Sequence, residues 1–111
     1  MTVFVVCEPV SHVDGKPKID LTPAMKYGDL EVLLKHSQSL LAPVPTVRSL
    51  RDKLRNFSDD DYLLPVGDPV LMSTVAMVAG YFNHGRVKFL KWDKFQRGYI
   101  VIQVDTSGAA Q

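Results

Sequence analysis

Residues 86–104 read RVKFLKWDKFQRGYIVIQV and contain two runs of aromatic and β-branched residues joined by a polar connection. Such runs are typical of β-strands, because these side chains pack well on a pleated, half-buried surface. The connection, from Asp93 to Gly98, is short enough to turn the chain back on itself. The stretch therefore predicts a C-terminal antiparallel β-hairpin with strands over 86–92 and 99–104.

A helix is predicted directly before this hairpin. Asp68 suits the N-cap position and Pro69 suits the first helical position, where no amide partner is needed. Apolar residues continue to about Phe82. Residues 83–85, Asn-His-Gly, then tolerate the left-handed turn that often ends a helix.

A further helix is predicted in the first half of the chain. Thr46 suits its N-cap position. The apolar residues that follow are spaced by three or four positions, as on one face of an α-helix. They are Val47, Leu50, Leu54 and Phe57.

The remaining strands are predicted from short apolar runs. Residues 3–6 are continuously apolar, which indicates a buried strand that Pro9 ends. Residues 30–34 and 62–66 are similar short runs. Each is bounded by residues that favour turns.

Three irregular segments separate these elements. Asp14-Gly15 is a strong turn signal and predicts an exposed loop or ragged hairpin over 11–18. Thr22 and Pro23 predict a brief helical turn, with Thr22 as the cap and Pro23 at the first helical position. Residues 36–45 contain two prolines and no clear period, so they are predicted to form a surface connector.

Together these patterns predict the α+β class. We expect a single domain over 1–105 and a frayed tail over 106–111. Two helices should pack on an antiparallel sheet that ends in the C-terminal hairpin, since each element needs an apolar surface to cover its own.

Composition excludes several classes of protein. The chain has 111 residues, 46% of them hydrophobic, and a net charge of +1, which argues against a polycationic or acidic disordered protein. Its apolar stretches are too short for a membrane span, and the N-terminus lacks the basic region of a signal peptide. One free cysteine fits a reducing interior, so a cytoplasmic location is expected, in the host cytoplasm if the protein is viral.

No catalytic residue, metal site or cofactor is predicted from the motifs. His12, His36 and His84 are too far apart in sequence for the local pairs that ligate metals. Cys7 lies in an apolar strand and is expected to be a small core residue. An enzyme is therefore the least favoured class.

The acidic run at residues 59–61, with Asp68 nearby, raises the alternative of a metal site. The spacing of a calcium-binding loop is missing. Adjacent aspartates after a helix more often form a turn in which the carboxylates cap backbone amides. A capping turn is the favoured interpretation.

Two basic elements are hidden by the near-neutral net charge. One is the predicted first helix and the other is the C-terminal hairpin, whose cations alternate with aromatic residues. Cations beside exposed rings are typical of single-stranded nucleic-acid binding, whereas the alternatives are a solvated surface or a docking face for an acidic protein. The candidate binding residues are Arg48, Arg51, Arg55, Arg86, Lys88, Lys91, Trp92, Lys94, Phe95 and Arg97.

The predicted second helix is apolar around most of its circumference. One layer of sheet covers only one side of a helix. The other apolar sides form an interface with a partner or a second copy, or the helix is central and the rest of the core covers them. The notable interface candidates are Val70, Met72, Met77 and Tyr81. Methionine suits adaptable contacts.

The second half of the sequence also contains blocks that are similar to known proteins. Residues 60–69, 85–93 and 99–102 resemble the corresponding blocks of small uncharacterised proteins of tailed phages, including marine and cyanobacterial ones. The resemblance implies a viral origin and activity inside an infected cell. It brings no catalytic residues.

Two functions follow as expectations. The first is a non-enzymatic phage accessory protein that binds a protein partner, such as a host factor, through the second helix or the basic hairpin. The alternative is a nucleic-acid-binding protein that uses the basic helix and the aromatic hairpin. No membrane is expected among the partners, and the apolar helix allows a homodimer.

Overall fold

A computed structural model describes residues 1–7, 21–34 and 43–108 of the chain. These residues form an α+β structure, which confirms the predicted class. The strands are β1 (Thr2–Cys7), β2 (Asp29–Leu34), β3 (Tyr62–Leu64), β4 (Arg86–Asp93) and β5 (Gly98–Asp105). The helices are a 3-10 helix (Thr22–Tyr27), α1 (Pro43–Leu54) and α2 (Pro69–Phe82).

The five strands form one mixed sheet in the order β2-β1-β3-β4-β5. The predicted hairpin is confirmed, because β4 and β5 pair antiparallel from Arg86 opposite Asp105 to Asp93 opposite Gly98. The expectation that the whole sheet is antiparallel is wrong, since β2, β1, β3 and β4 run parallel to one another. The reason lies in the connections: α1 follows β2 and α2 follows β3, and a helix returns the chain to the end from which the next parallel strand starts.

The sheet separates two apolar clusters. On one face Phe4, Val6 and Leu63 pack against α1 and α2. On the other face Val5, Leu64 and their neighbours pack against the 3-10 helix. Consecutive residues of β1 and β3 point to opposite faces, so a sheet covered on both sides needs continuous apolar strands.

The predictions for the two ends of α2 are both confirmed. Asp68 caps α2 as predicted, because its carboxylate accepts hydrogen bonds from the amides of Val70, at 2.8 Å, and Leu71, at 3.3 Å. The predicted turn after α2 is also confirmed, with φ of 58° at His84 and 84° at Gly85.

The predicted start of α1 is wrong. The helix begins at Pro43 rather than after Thr46, and Thr46 is buried inside it. The two prolines that suggested a connector instead occupy the first turn, where the missing amides would have no helical partner. Only residues 43–45 of that predicted connector can be compared, because 36–42 lie outside the described residues.

The 3-10 helix also differs from its prediction in one detail. Its N-cap is Leu21, and Thr22 is the first helical residue, followed by Pro23. The predicted loop over 11–18 and residues 109–111 of the predicted tail lie outside the described residues. Thr106, the first residue of that tail, donates its amide to the carbonyl of Gly85 at 2.8 Å.

None of the helices in the described part of the chain has the length and apolarity that a membrane-spanning helix needs.

Candidate interaction surfaces

The tip of the hairpin presents two exposed rings. Phe95 lies in the loop between β4 and β5 with 89% of its surface exposed, and Trp92 at the end of β4 is 46% exposed. The amide of Phe95 donates to the carboxylate of Asp93 at 2.9 Å, which fixes the loop conformation. Arg97 adopts a left-handed φ of 51° as the chain enters β5.

Trp92 packs edge-on against the ring of Tyr99, with ring centroids 5.2 Å apart. Tyr99 is buried, so Trp92 is held from one side and open on the other. Beside it is a depression of about 390 Å³ lined by Lys91, Trp92, Asp93, Lys94, Phe95 and Ile100. We call these residues, together with Arg97, the hairpin-tip surface.

Five of the eight predicted binding cations have partners within the protein. Arg55 pairs with Asp52 at 3.0 Å, and Arg86 pairs with Asp59 at 3.2 Å. Three cations lie over rings: Arg51 over Tyr81 and Phe82, Lys88 over Tyr62, and Lys94 over Phe95. For Arg48, Lys91 and Arg97 the described residues show no such contact.

The two basic elements do not form one surface. On α1, Lys53 donates to the carbonyl of Leu33 in β2 at 2.6 Å, which places the helix near the β2 edge of the sheet. The hairpin-tip surface lies at the opposite edge, since β5 is the last strand. The strand order therefore places α1, with its cations, at the other side of the sheet from the hairpin-tip surface.

The second helix has a buried side and an exposed apolar side. Leu71, Val75, Val78 and Ala79 are buried against the sheet and α1. Val70, Met77 and Tyr81 are 57%, 75% and 71% exposed. Their spacing of seven and four residues places them on one side of the helix, and we call them the α2 stripe.

The exposed side of α2 also offers few polar groups. No residue from Pro69 to Phe82 is charged. The hydroxyls of Ser73 and Thr74 donate to the carbonyls of Pro69 and Val70, both at 2.8 Å, so they are already bonded within their own helix. The α2 stripe is therefore an exposed surface without charge.

Met72, a predicted interface residue, does not belong to the α2 stripe. It is partly buried against the core, and it lines a shallow groove between α2 and the hairpin. The groove has a volume of about 680 Å³ and is mostly apolar. Its lining residues are Pro65, Pro69, Met72, Ser73, Ala76, Phe89, Leu90, Lys91 and Ile102.

The acidic run forms the capping turn that its residue types favour. The carboxylate of Asp61 accepts hydrogen bonds from the amides of Thr2 and Ser58, both at 3.0 Å. Asp59 accepts a bond from the amide side chain of Asn83 at 2.9 Å. Within the described residues, no three His, Cys, Asp or Glu side chains are grouped closely enough to hold a metal ion.

Asn83, which the sequence placed only in the turn after α2, has a further structural role through its side chain. Its buried side chain donates to Asp59 and to the carbonyl of Arg86, both at 2.9 Å. It thereby joins the end of α2 to the start of β4 and to the acidic turn. The hydrogen bond from Asn83, together with the nearby Arg86 guanidinium, lowers the pKa of Asp59 below its usual value of 3.8.

This lowered pKa predicts an acid-dependent contribution of Asp59 to stability. The unfolded chain binds the proton at a higher pH than the native protein, so the contribution is present above about pH 3.8 and is lost as the pH falls below it. The difference in unfolding free energy between wild type and Asp59→Asn should therefore shrink from about pH 6 to about pH 2.5. Urea denaturation at both pH values measures it.

Asp60→Asn is the matched control for this measurement, because its exposed carboxylate makes no side-chain contact in the described structure. The change in stability effect between the two pH values should be larger for Asp59→Asn than for Asp60→Asn, because the Asp59 carboxylate accepts the hydrogen bond from Asn83. An equal pH dependence for Asp59→Asn and Asp60→Asn would contradict the prediction.

Comparison with known proteins adds one match. Residues 1–106 match the family described as Phage Pam3 gp32-like protein. Searches of curated proteins and of solved structures give no match. The match spans nearly the whole chain and confirms the resemblance to phage proteins.

Proposed function

Because the chain belongs to the Phage Pam3 gp32-like protein family, we propose that it is a non-enzymatic phage accessory protein that binds a protein partner, a factor of the infected host cell. Binding occurs through the α2 stripe. The protein would then act in the host cytoplasm.

The observation that carries this proposal is the exposed, uncharged character of the α2 stripe. Met77 and Tyr81 expose most of their surface on a regular helix, and the neighbouring hydroxyls are bonded internally. Methionine and tyrosine are enriched at protein interfaces, while charged residues are depleted from their centres. Contact with a protein would remove this apolar surface from water, which is the main favourable contribution to association.

Arg51 suggests which charge the partner carries beside its apolar contact surface. Its guanidinium lies 5.5 Å from the ring centre of Tyr81, so a cation borders the apolar stripe. A partner with an apolar groove and a carboxylate at its rim would match both features. Helix-in-groove recognition is a common arrangement for an apolar helix face of this kind.

Photo-crosslinking tests the proposal. A photoreactive amino acid at position 77 should form a covalent product with one host protein in infected cells, and the same group at Met25 should not. Met25 is also exposed but lies on the 3-10 helix, on the other face of the sheet.

Affinity for the purified partner provides the second measurement. Changing Met77→Lys together with Tyr81→Lys should weaken binding by at least about tenfold, since charges would be buried in an apolar contact. Met25→Lys should leave the affinity unchanged. Equal affinities for all three proteins would exclude the α2 stripe as the binding surface.

A second candidate function is favoured by the hairpin-tip surface. Trp92 and Phe95 expose ring surface beside Lys91, Lys94 and Arg97. This arrangement allows base stacking together with phosphate neutralisation on a single strand. Protein binding is preferred, because the cations of α1 lie at the other edge of the sheet and do not extend this surface.

Titration of labelled single-stranded oligonucleotides separates the two candidates. Nucleic-acid binding requires an affinity that falls with added salt and that Lys94→Glu with Arg97→Glu abolishes. Arg48→Glu with Arg55→Glu, which also reverses two charges but on α1, is the matched control. Absence of binding at low salt would remove this second candidate.

A further inference from the structure

The two edges of the sheet differ in how they are protected from pairing with another strand. Along β2 the exposed side chains include Asp29 and Glu31, and such charges discourage edge pairing. Along β5 the seven residues from Gly98 to Val104 contain no charge and no proline. The pairing of β5 with β4 is also free of bulges, because each residue has one partner.

From Val101 onward the outer side of β5 carries backbone groups that are available for pairing, whereas nearer its start the Tyr27 hydroxyl donates to the carbonyl of Tyr99 at 2.9 Å. Residues of an antiparallel strand direct their amide and carbonyl alternately to one side and the other. Since Thr106 donates to the carbonyl of Gly85, the even-numbered residues of β5 bond to β4. The odd-numbered residues, including Val101 and Gln103, therefore direct their backbone groups away from β4.

Apolar side chains accompany these backbone groups. Val101, Ile102 and Val104 are each about two-fifths exposed. An eight-residue edge strand with this character is longer than most strands, and between Gly98 and Val104 it lacks the charges, proline and bulges that often protect an edge. A strand from another chain would cover both the side chains and the backbone groups.

The charges at the two ends of β5 favour a second copy of the same strand as its pairing partner. Arg97 precedes the strand and Asp105 ends it, with no charge between them. Hydrogen bonds from Ser107 hold the pKa of Asp105 below its usual value, so the carboxylate is ionised near neutral pH. When two copies of β5 run antiparallel, the Arg97 end of each strand meets the Asp105 end of the other. A parallel arrangement would instead bring like charges together.

We propose that β5 pairs with β5 of a second copy of this chain, antiparallel and about a two-fold axis, so that two five-stranded sheets become one ten-stranded sheet. Two registers align seven residues of each strand and satisfy the backbone alternation, with the Tyr99 carbonyl accepting from both the Tyr27 hydroxyl and an amide of the second copy. They place either Val101 or Ile102 on the axis. In both registers Val101 lies opposite Val101 or Gln103 of the second copy. This surface is distinct from the α2 stripe, so the inference goes beyond the proposed function.

The mass of the protein in solution tests the pairing. Light scattering over increasing concentration, up to about 1 mM, should show the mass rising from 12.4 kDa to twice that value. The variant Val101→Lys with Gln103→Lys should stay monomeric, because it places like charges opposite each other in either register. The variant Val101→Glu with Gln103→Glu should stay monomeric for the same reason.

Mixing the two charged variants provides the decisive measurement. Lysines of one chain then face glutamates of the other, so an equimolar mixture should recover the dimer mass. Both positions are exposed, and circular dichroism checks that each variant is folded. The control variant Asp29→Lys with Glu31→Lys changes charge on the β2 edge and should dimerise like the wild type.

Three results would overturn the proposal. One is a wild-type mass of 12.4 kDa at every concentration. Another is a dimer that both charged β5 variants retain. The third is a mixture that stays monomeric although each component is folded. A dimer lost in the variant Met77→Lys with Tyr81→Lys but kept in the β5 variants would assign self-association to the α2 stripe.

Discussion

Replacing Leu63 with alanine should lower the free energy of unfolding by about 2–5 kcal/mol, the range for removing a large side chain from a closely packed core. Leu63 is fully buried in β3, the central strand of the sheet. It pairs in register with Phe4 of β1 and Phe89 of β4. The neighbours on both sides are held by the sheet, so they can move little to fill the cavity.

Urea denaturation followed by circular dichroism measures this loss. Val44→Ala is the comparison, because Val44 is 66% exposed on α1 and its truncation should change stability by less than about 0.5 kcal/mol. Leu63→Met keeps most of the volume and should cost less than about 1.5 kcal/mol. If Leu63→Ala were no more destabilising than Val44→Ala, the central position of β3 would be wrong.

Gly28→Ala is expected to destabilise the protein by about 1–3 kcal/mol from backbone conformation alone, since its φ of 150° and ψ of −178° lie in a region that only glycine adopts readily. A β-carbon there would also stand 2.7 Å from the carbonyl oxygen of Met1. That atom belongs to the backbone beside β1, so the contact cannot be relieved by rotating a side chain. The thermal unfolding midpoint should fall accordingly.

Gly80→Ala is a control that should raise the stability of the protein rather than lower it. Gly80 lies in α2, and an added β-carbon would come no nearer than 3.9 Å to the side chain of Val87. Alanine in a helix is more stable than glycine by about 0.5–1 kcal/mol, so this variant should unfold at a higher temperature. A similar loss of stability in both variants would show that Gly28 has no special conformational role.

The candidate surfaces were only partly predictable from the sequence. The apolar excess of residues 69–82 indicated an interface or a core helix, and the structure shows that one side of the helix is in the core while another side is exposed. Leu71 and Val75 are buried, while Met77 and Tyr81 are exposed. The helical period alone cannot say which side faces the sheet when every side is apolar.

The basic residues illustrate the same limit. The cations of α1 and those of the hairpin share a local positive charge in the sequence, which suggests a common binding role. Their separation depends on strand order, which places β2 and β5 at opposite edges of the sheet. The pairing of Arg86 with Asp59, 27 residues apart, likewise depends on how distant segments pack.

The sequence by itself determined the local structure of this protein: the hairpin of β4 and β5, the cap of α2 at Asp68, and the α+β class. These follow from short-range effects, namely side-chain periodicity, strand propensity and capping hydrogen bonds. Only the tertiary structure decided the parallel direction of the first four strands, the exposed side of α2 and the open edge at β5. Those features depend on contacts between distant residues, such as the hydrogen bond from the Thr2 amide to Asp61, which no local pattern encodes.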